Sequence, residues 1–471
     1  MLKKISPAGG QGGRAGQDGL FSINDERASV PVCRASYPVP FAQELEFNAP
    51  VHGTWNIVHI GMMVPECHQI YVCADNCMRG VVLTAAEMDA ADRFSCVLLE
   101  EKDLYEGSLE DITIEGITDA INRLPYRPRA VAVFLVCLHH FVGTDAAWVY
   151  RTLEERFPDI DFMRCWMDPV MQKTGLTPEQ KLKEAMFRPV RPLPAEPGMV
   201  FVLGDNQPLD PESDLARTIT DAGCRVRTLY DCKSYEDYLQ IGAASLLITR
   251  SPTGVHGVTQ LAHRLDRPFL YLPPALGKEE INRELQELEK FLPPVKNQAD
   301  PSSTPGFPEE SATAGLAEKA LRRARALIGD TEVTIDYIAT PRPLGLARLL
   351  LEHDFHVTRV YLDAVSPEER EDFDWLASRH PDLMLTATIR PEMRVLHAAE
   401  NEGKMLAIGP KAAWFGGTAH FVNTVEYSGM WGFSGIEKLA GLMEDAFLHE
   451  KDTRAIVPLK GFGCRCVVGS C

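Results

Sequence analysis

Apolar residues follow two patterns along this chain, and each pattern predicts one kind of element. Short, nearly continuous apolar runs such as AVAVFLVCL (130–138) and GMVFVLGD (198–205) predict buried strands. Segments such as ITIEGITDAINRL (112–124) and SDLARTITDAG (213–223) repeat their apolar positions at helical spacing. The two kinds of segment alternate, which is typical of parallel βαβ units in an α/β fold.

Two breaks divide this alternation into three units. Proline-rich RPVRPLPAEPG ends the first unit, and VKNQADPSSTPGFPEESATA reads as a linker before the third. We expect three doubly wound, Rossmann-like α/β domains with parallel sheets, and cluster and substrate sites in their clefts. The predicted divisions are a flexible or wrapping N-terminal arm (1–45), a first α/β domain with the cysteine site (46–195), a second α/β domain (196–300), a linker with the third α/β domain (301–455) and a Cys-containing tail (456–471).

Composition narrows the function classes. No apolar run approaches the roughly 18 residues of a membrane helix, and the N-terminus lacks the apolar core of a secretory signal. A formal charge of −18 argues against a nucleic-acid partner, which needs a basic face. With no secretory signal, we expect the 12 cysteines to lie in a reducing cytoplasm as metal ligands, catalytic thiols or buried residues.

Five cysteines in the first predicted domain are the candidate chemistry. Cys67, Cys73 and Cys77 lie within PECHQIYVCADNCMRG, Cys96 lies in ADRFSCVLLE, and Cys137 ends a buried strand. Thiolates are soft ligands for iron and zinc, so their grouping predicts a redox protein with an iron–sulfur cluster. Cys67 is either a further ligand or a bystander, and Cys96 is either a ligand or part of the core.

The other candidate groups are histidines and a second set of thiols. His139 and His140 follow Cys137 directly and are candidate proton donors, or loop histidines in solvent. The tail GFGCRCVVGSC offers metal capture, a redox relay, a terminal disulfide or unligated thiols, and it holds Cys464, Cys466 and Cys471. If the three strongest candidate thiols of the first domain bind one cluster, one ligand is missing. A second subunit, a carboxylate or a histidine would supply it, or one iron would keep an open coordination site.

Nucleotide motifs are missing from the sequence. ALGKEE lacks the upstream glycine and the Ser/Thr that a phosphate-binding loop requires, and no GxGxxG follows a predicted strand. Neither ATP hydrolysis nor NAD(P) binding is therefore indicated. If the protein is a reductase, its electrons come from a separate protein.

Four segments, in this order, resemble the nitrogenase component 1 family, which includes the MoFe-protein and dark protochlorophyllide reductase subunits. They are CADNCMRGVVLTAAE, FSCVLLEEKDLYEG, FLVCLHHFVGTD and VEYSGMWGFSGIEKLAGLM. The resemblance implies that Cys73, Cys96 and Cys137 match cluster-binding cysteines at a subunit interface. It also implies a homodimer or a heterotetramer with a paralogous subunit, and electrons supplied by an ATP-dependent iron–sulfur reductase.

The sequence departs from this family in the residues that anchor the iron–molybdenum cofactor. The cofactor cysteine would fall near Ile248 and the cofactor histidine near Asn423, so neither anchor is present. Cys77 is an additional thiol, which allows a cluster on Cys73, Cys77 and Cys137.

We therefore expect a nitrogenase-like reductase subunit with a 4Fe–4S or larger cluster, acting on a small molecule without an iron–molybdenum cofactor. The alternatives are a scaffold that carries a metallocluster to an acceptor, and a non-redox protein that binds a small molecule or a metal chelate.

Overall fold

The structure is a computed structural model that describes residues 24, 28–41, 57–105, 109–167, 176–294, 312–388, 393 and 403–452. Its strands are β1 (Ser29–Pro31), β2 (Cys67–Cys73), β3 (Phe94–Leu98), β4 (Ala130–Val136), β5 (Asp161–Met167), β6 (Met199–Val202), β7 (Arg225–Thr228), β8 (Leu246–Thr249), β9 (Phe269–Tyr271), β10 (Glu332–Asp336), β11 (His356–Tyr361), β12 (Met384–Thr386), β13 (Met405–Ile408) and β14 (Phe421–Val422). Its helices are α1 (Ile57–Met62), α2 (Asp75–Glu87), α3 (Glu101–Tyr105), α4 (Leu109–Arg123), α5 (Cys137–Phe141), α6 (Ala146–Arg156), α7 (Pro178–Phe187), α8 (Asp214–Asp221), α9 (Tyr235–Leu239), α10 (Val255–Leu265), α11 (Lys278–Glu289), α12 (Ala312–Ile328), α13 (Pro343–Glu352), α14 (Arg370–Arg379), α15 (Pro410–Gly416) and α16 (Gly432–Leu448).

Three sheets follow one another along the chain. The first has the strand order β3-β2-β4-β5, the second β7-β6-β8-β9, and the third β1-β12-β11-β10-β13-β14. All described strand pairs are parallel except that of β1 with β12. The predicted fold class, a succession of doubly wound α/β units, is confirmed.

The first sheet is buried on both faces, which explains its continuous apolar strands. On one face, Val133 of β4 packs in a cluster with Ile117 of α4 and Leu153 of α6. On the other face, the ring of Phe134 stacks on that of Tyr71 at 4.3 Å and 3°. Successive residues of a strand point to opposite faces, so AVAVFLV supplies apolar side chains to both helical layers.

The three units are joined by shared apolar cores. One cluster contains Leu182 of α7 in the first unit and Phe201 and Leu261 in the second. Another contains Ile248 of the second unit and Trp431 of the third. The indole Nε1 of Trp431 also donates to the carbonyl oxygens of Leu272 and Pro273, both at 3.1 Å. These contacts fix the clefts between the units.

Part of the predicted N-terminal arm is a strand of the third sheet. β1 pairs antiparallel with β12, and the hydroxyls of Ser29 and Thr386 lie 2.7 Å apart. Val32, directly after β1, is buried in the core of the third unit. A three-residue strand has too little periodicity to be recognised in a Gly- and Pro-rich sequence, so the arm's pairing was not predicted.

The segment EYSG before α16 has an unusual backbone. Glu426, Tyr427 and Ser428 have φ values of 48°, 61° and 48°, a left-handed conformation that side chains with a Cβ rarely adopt. A Cβ on Gly429 would lie 2.0 Å from the carbonyl oxygen of Pro208, so only glycine fits here. The third unit is thereby held against the loop that follows β6.

No helix in the part of the chain described above is long and apolar enough to cross a membrane.

Candidate cluster-binding edge and interdomain cavity

Three of the candidate cysteines, Cys73, Cys96 and Cys137, lie at or near the carboxyl ends of strands of the first sheet. We call this end of the sheet the cysteine edge. Cys73 is the last residue of β2, and Cys137 directly follows β4 as the first residue of α5. In the register of β2 with β3, Cys96 is opposite Tyr71, two residues before Cys73. β2 lies between β3 and β4, so Cys73 is on the central strand of the three.

The thiols of Cys77 and Cys96 lie close enough to Cys73 to raise its pKa. Cys77 lies in the first turn of α2, which begins two residues after Cys73. The pKa of Cys73 is raised to about 12, mainly by burial. The nearby thiols of Cys96 and Cys77 and the carboxylate of Asp75 add to the rise. Burial alone raises the pKa of Cys96 to about 11 and also raises that of Cys77. A bound cation is the group that would favour thiolates here, which fits the chemistry of a thiolate-ligated metal centre.

The described part of one chain does not present a complete metal site. Among the residues that the structure describes, no three His, Cys, Asp or Glu side chains are placed so as to hold a metal ion. No disulfide joins any two of the nine described cysteines, and Cys77, Cys96 and Cys137 are each partly accessible. The cysteines therefore offer part of a ligand set, and a metal bound to them would be accessible to ligands from outside the chain.

Cys67 lies at the opposite end of β2 from Cys73. They are six residue steps apart along the strand, a distance of about 20 Å at the rise of a β-strand. Its thiol is buried and donates to the carbonyl oxygen of His68 at 3.6 Å, and burial raises its pKa to about 12. One cluster cannot reach both cysteines of this strand, so Cys67 is not included in the ligand set proposed below.

The two histidines after Cys137 have different surroundings. His139 is buried, with Nε2 at 3.3 Å from the hydroxyl of Thr113 and Nδ1 at 3.2 Å from the backbone of Val136. Burial lowers the pKa of His139 to about 4, so its ring is neutral at physiological pH. His140 is exposed and stacks on Trp166 with the ring centroids 4.0 Å apart.

Several apolar side chains are exposed on the elements that carry or directly follow these cysteines. Leu98 at the end of β3 is 52% exposed, Tyr105 of α3 is 76% exposed, and Phe141 of α5 is 64% exposed. Leu83 of α2 and Val142 after α5 are also exposed. Neighbouring apolar side chains at one edge of a sheet are typical of a surface that another protein covers.

A separate cavity of about 270 Å³ lies where the three units meet. The second unit lines it with Asp205, after β6, and Arg250, after β8. The third unit contributes Tyr337, after β10, and Asp363, after β11, while Glu179 comes from α7. This is the cleft beyond the carboxyl ends of the strands, where the fold class predicts a ligand.

Buried charges connect the walls of this interdomain cavity. Lys183 and Glu179, one turn apart on α7, form an ion pair at 2.7 Å with side chains only 2% and 5% exposed. The hydroxyl of Thr253 donates to Glu179 at 2.7 Å. The amide of Asn206 donates to Glu179 at 2.8 Å and to Glu426 at 3.1 Å. Residues of all three units therefore meet in one hydrogen-bond network.

This network was not predicted from the sequence. Glu426 lies in the segment VEYSG, which carries a family resemblance but indicates no role for this residue, and α7 was not predicted. The available signal was the capping box of Thr177 and Gln180 with Pro178 at the start of α7. That pattern locates a helix but does not reveal that its charged face is buried between domains.

The two positions where the family's cofactor anchors would fall lie close in sequence to residues that line the interdomain cavity. Ile248 is a fully buried residue of β8, and Asn423 is exposed after β14. The described residues that line the cavity are carboxylates, hydroxyls, prolines, one guanidinium, one phenol and one alanine, without thiol or imidazole. Soft-ligand clusters take thiolate or imidazole, so this donor set does not fit an iron–molybdenum cofactor. The tail cysteines Cys464, Cys466 and Cys471 lie outside the described residues.

Comparison with solved structures shows the same overall architecture in a nitrogenase. Nitrogenase Cp1 at pH 6.5 superposes with a TM-score of 0.60 at 15% identity, covering 86% of this chain and 94% of that chain. Nitrogenase Cp1 at pH 5 gives a TM-score of 0.53 at 12% identity, covering 89% and 93%. At these identities the likeness establishes the fold. Comparison with curated proteins finds no match.

The family follows from a second comparison. The model of the family "Nitrogenase component 1 type Oxidoreductase" matches residues 56–410, which is most of the chain. The protein therefore belongs to the nitrogenase component 1 type oxidoreductase family, which confirms the resemblance found in its sequence. Proteins of this family bind iron–sulfur clusters, act with a separate reductase component and form oligomers.

Proposed function

We propose that this protein is a nitrogenase-like reductase subunit that holds an iron–sulfur cluster and reduces a small molecule. The observation that carries the proposal is the grouping of Cys73, Cys77 and Cys96, with Cys137 on the adjacent strand end, at one edge of a family-type first domain. The cluster, 4Fe–4S or larger, would be held by these four thiols. When bound, it supplies one-electron transfer at low potential.

A second chain completes the proposed cluster site. The partly accessible thiols lie on elements that also expose apolar side chains, and the described residues of one chain form no closed metal site. Both features favour a homodimer, or a heterotetramer with a paralogous subunit, in which the cysteine edge meets its counterpart. The chain's contribution is to position its thiols and, through Leu98 and Phe141, to exclude water from the cluster.

A separate protein supplies the electrons in this proposal. The sequence has no phosphate-binding loop of its own, and the family acts with a reductase component. We propose an ATP-dependent iron–sulfur reductase as that component. A net charge of −18 would steer a partner with a basic docking face towards this protein.

The substrate would bind without an iron–molybdenum cofactor. The interdomain cavity offers no thiol or imidazole among the described residues that line it, whereas it offers many hydrogen-bonding groups. His139 and His140 are the proposed proton-handling groups beside the cluster. His140 is the more accessible to water, while His139 is buried and neutral. The absence of disulfides among the nine described cysteines is consistent with a reducing compartment, and we propose the cytoplasm.

The test is metal analysis of full-length protein purified without oxygen. We expect about four or more irons with matching acid-labile sulfide per chain, and an EPR signal after dithionite reduction. Cys73→Ala and Cys137→Ala should lose most of the iron. Cys224→Ala is the matched control, because Cys224 is a buried thiol of the second unit. A colourless protein that contains zinc or no metal would contradict the proposal and favour a binding protein.

The second candidate function is a carrier that passes its cluster to another protein. The sequence of the tail favours it, since three thiols within GFGCRCVVGSC could release a cluster readily. Loss of the cluster to an apo-acceptor without substrate turnover, abolished by removal of residues 456–471, would favour this function over reduction.

A further inference from the structure

The interdomain cavity carries more acid than base. Its described lining residues include five carboxylates, those of Glu179, Asp205, Asp363, Glu369 and Glu426, against a single guanidinium, Arg250. A cavity of about 270 Å³ is at the lower end of ligand sites, which indicates a small molecule.

Most of the carboxylates already have strong partners. Asp205 pairs with Arg250 at 3.3 Å, and Glu179 pairs with Lys183. Asp363 accepts the backbone N–H of Thr388 at 2.6 Å. Glu369 accepts the backbone N–H groups of Leu344 and Gly345 at the start of α13, at 2.6 and 3.2 Å.

Glu426 accepts one neutral donor among the described contacts, whereas Asp363 and Glu369 each accept at least two. Its Oε1 accepts the amide of Asn206, and no Lys, Arg or His forms an ion pair with it in the part of the chain that the structure covers. The backbone of Glu426 has a left-handed conformation, which is unfavourable for a residue with a Cβ and persists only where the surrounding structure holds it. In this conformation Glu426 lines the cavity.

The groups that face Glu426 make it an acid of near-neutral strength. Burial, then the negative charge of Glu179 and more weakly that of Asp205, raise the pKa of Glu426 to about 7, although Lys183 and the Asn206 amide oppose the rise. The phenol of Tyr230 also senses Glu426, and its own pKa is raised to about 12, chiefly by burial. A cation against Glu426 would therefore displace its proton.

Two further polar atoms of the wall have no partner. Oδ2 of Asp205 and Nε of Arg250 are buried without a hydrogen bond, and the side chain of Arg250 is only 3% exposed. A buried donor or acceptor without a partner is unfavourable, so a ligand group that pairs with it is favoured. Oδ2 requires a donor and Nε requires an acceptor.

We infer that the interdomain cavity binds a small organic cation, whose amino or amidino group pairs with Glu426 and whose hydrogen-bonding oxygen faces Arg250. Its role as the molecule that is reduced rests on the proposed function, whereas binding does not. Glu426 is here a binding residue that exchanges a proton for the ligand's charge.

Calorimetric titration of the full-length, anaerobically purified protein tests this inference. The probes are 4-aminobutanamide, neutral butanamide and anionic succinamate, which share a short amide skeleton but differ in charge. At pH 7 we expect 4-aminobutanamide to bind at least ten times more tightly than either of the others. Its apparent heat should depend on the ionisation enthalpy of the buffer, because binding releases a proton from Glu426.

Two variants locate the effect. Glu426→Gln should weaken binding of 4-aminobutanamide at least tenfold and abolish the dependence on the buffer. Glu371→Gln, at an exposed carboxylate of α14, is the matched control and should behave as the wild type. The buffer dependence of the wild type is informative even if Glu426→Gln fails to fold.

The outcomes separate this inference from the proposed function. Equal affinities for the three probes, preference for succinamate, or binding without proton release would overturn the inference, whatever the iron content. Selective, proton-releasing binding to protein that holds no iron would support the cavity as a cation site while the proposed reductase function fails.

Discussion

At the scale of single residues, the third unit depends on one buried carboxylate. Asp336, at the end of β10, accepts the backbone N–H groups of Ile338, Ala339 and Ala412 at 2.9, 3.1 and 2.8 Å. Burial raises the pKa of Asp336 to about 6, although these N–H groups and Lys411 oppose the rise. The carboxylate thus satisfies the backbone at two strand ends that border the interdomain cavity.

Gly409→Ala should disrupt this arrangement. Gly409 has a φ of 115°, and an added Cβ would lie 2.2 Å from Oδ1 of Asp336. We expect a loss of stability on the order of 3 kcal/mol from backbone strain and displacement of the carboxylate. Denaturant unfolding measures it. The control is Gly441→Ala in α16, where a Cβ meets nothing within 4 Å and where stability should rise slightly. Equal effects of the two substitutions would contradict the role given to Asp336.

At the scale of elements, helices and strands with a regular apolar pattern could be predicted from the sequence. Elements and contacts that depend on residues distant in sequence could not. α4, α8 and β4 lie where apolar spacing placed them, because burial on one or two faces leaves a regular pattern. β1 has only three residues and pairs with a strand more than 350 positions away, so no local pattern reveals it. The positions of Cys73 and Cys137 at strand ends were predictable, because the apolar pattern of a strand also shows where the strand ends. The network of Glu179, Asn206 and Glu426 was not, since its members are distant in sequence and look like surface residues.

The starts of α8 and α16 cap one another across the boundary of the second and third units. The backbone N–H of Ser434 donates to Oδ2 of Asp214, and the backbone N–H of Asp214 donates to the hydroxyl of Ser434, both at 3.0 Å. Helix starts have unpaired N–H groups, so each side chain here satisfies the other helix.

Asp214→Ala and Ser434→Ala should each lower the free energy of unfolding by about 1–2 kcal/mol. The double variant should lose less than the sum by about 0.5–1 kcal/mol, because loss of either hydrogen bond loosens the helix contact that holds the other. Denaturant unfolding of the four proteins gives this coupling. Asp221→Ala, at an exposed position of α8, should change stability by less than about 0.5 kcal/mol. Strict additivity of the two losses would show that the caps act independently.

At the scale of the whole molecule, the two candidate sites lie on different parts of the fold. The cysteine edge belongs to the first sheet, and the elements that carry or directly follow its cysteines expose apolar side chains. The interdomain cavity lies at the carboxyl ends of the second and third sheets, closed by α7 of the first unit. The proposed electron entry at a subunit contact and the proposed ligand binding inside one chain can therefore be tested separately by substitution.

Phe141→Asp should separate assembly from folding. Phe141 is 64% exposed in α5, four residues after Cys137, so a charge there disfavours burial against a second chain without disturbing the core. We expect the variant to sediment as a smaller species and to lose at least half of its iron, with wild-type thermal stability for each chain. Phe291→Asp is the matched control, because Phe291 is an exposed phenylalanine (44%) after α11, far along the chain from the cysteine edge. Sedimentation velocity and iron analysis of both variants decide the matter. A Phe141→Asp protein that retains its assembly and its iron would contradict the placement of Phe141 at the subunit contact. A dissociated variant that retains its iron would mean that the cluster is held within one chain, with the missing ligands supplied by residues outside the described part of the structure.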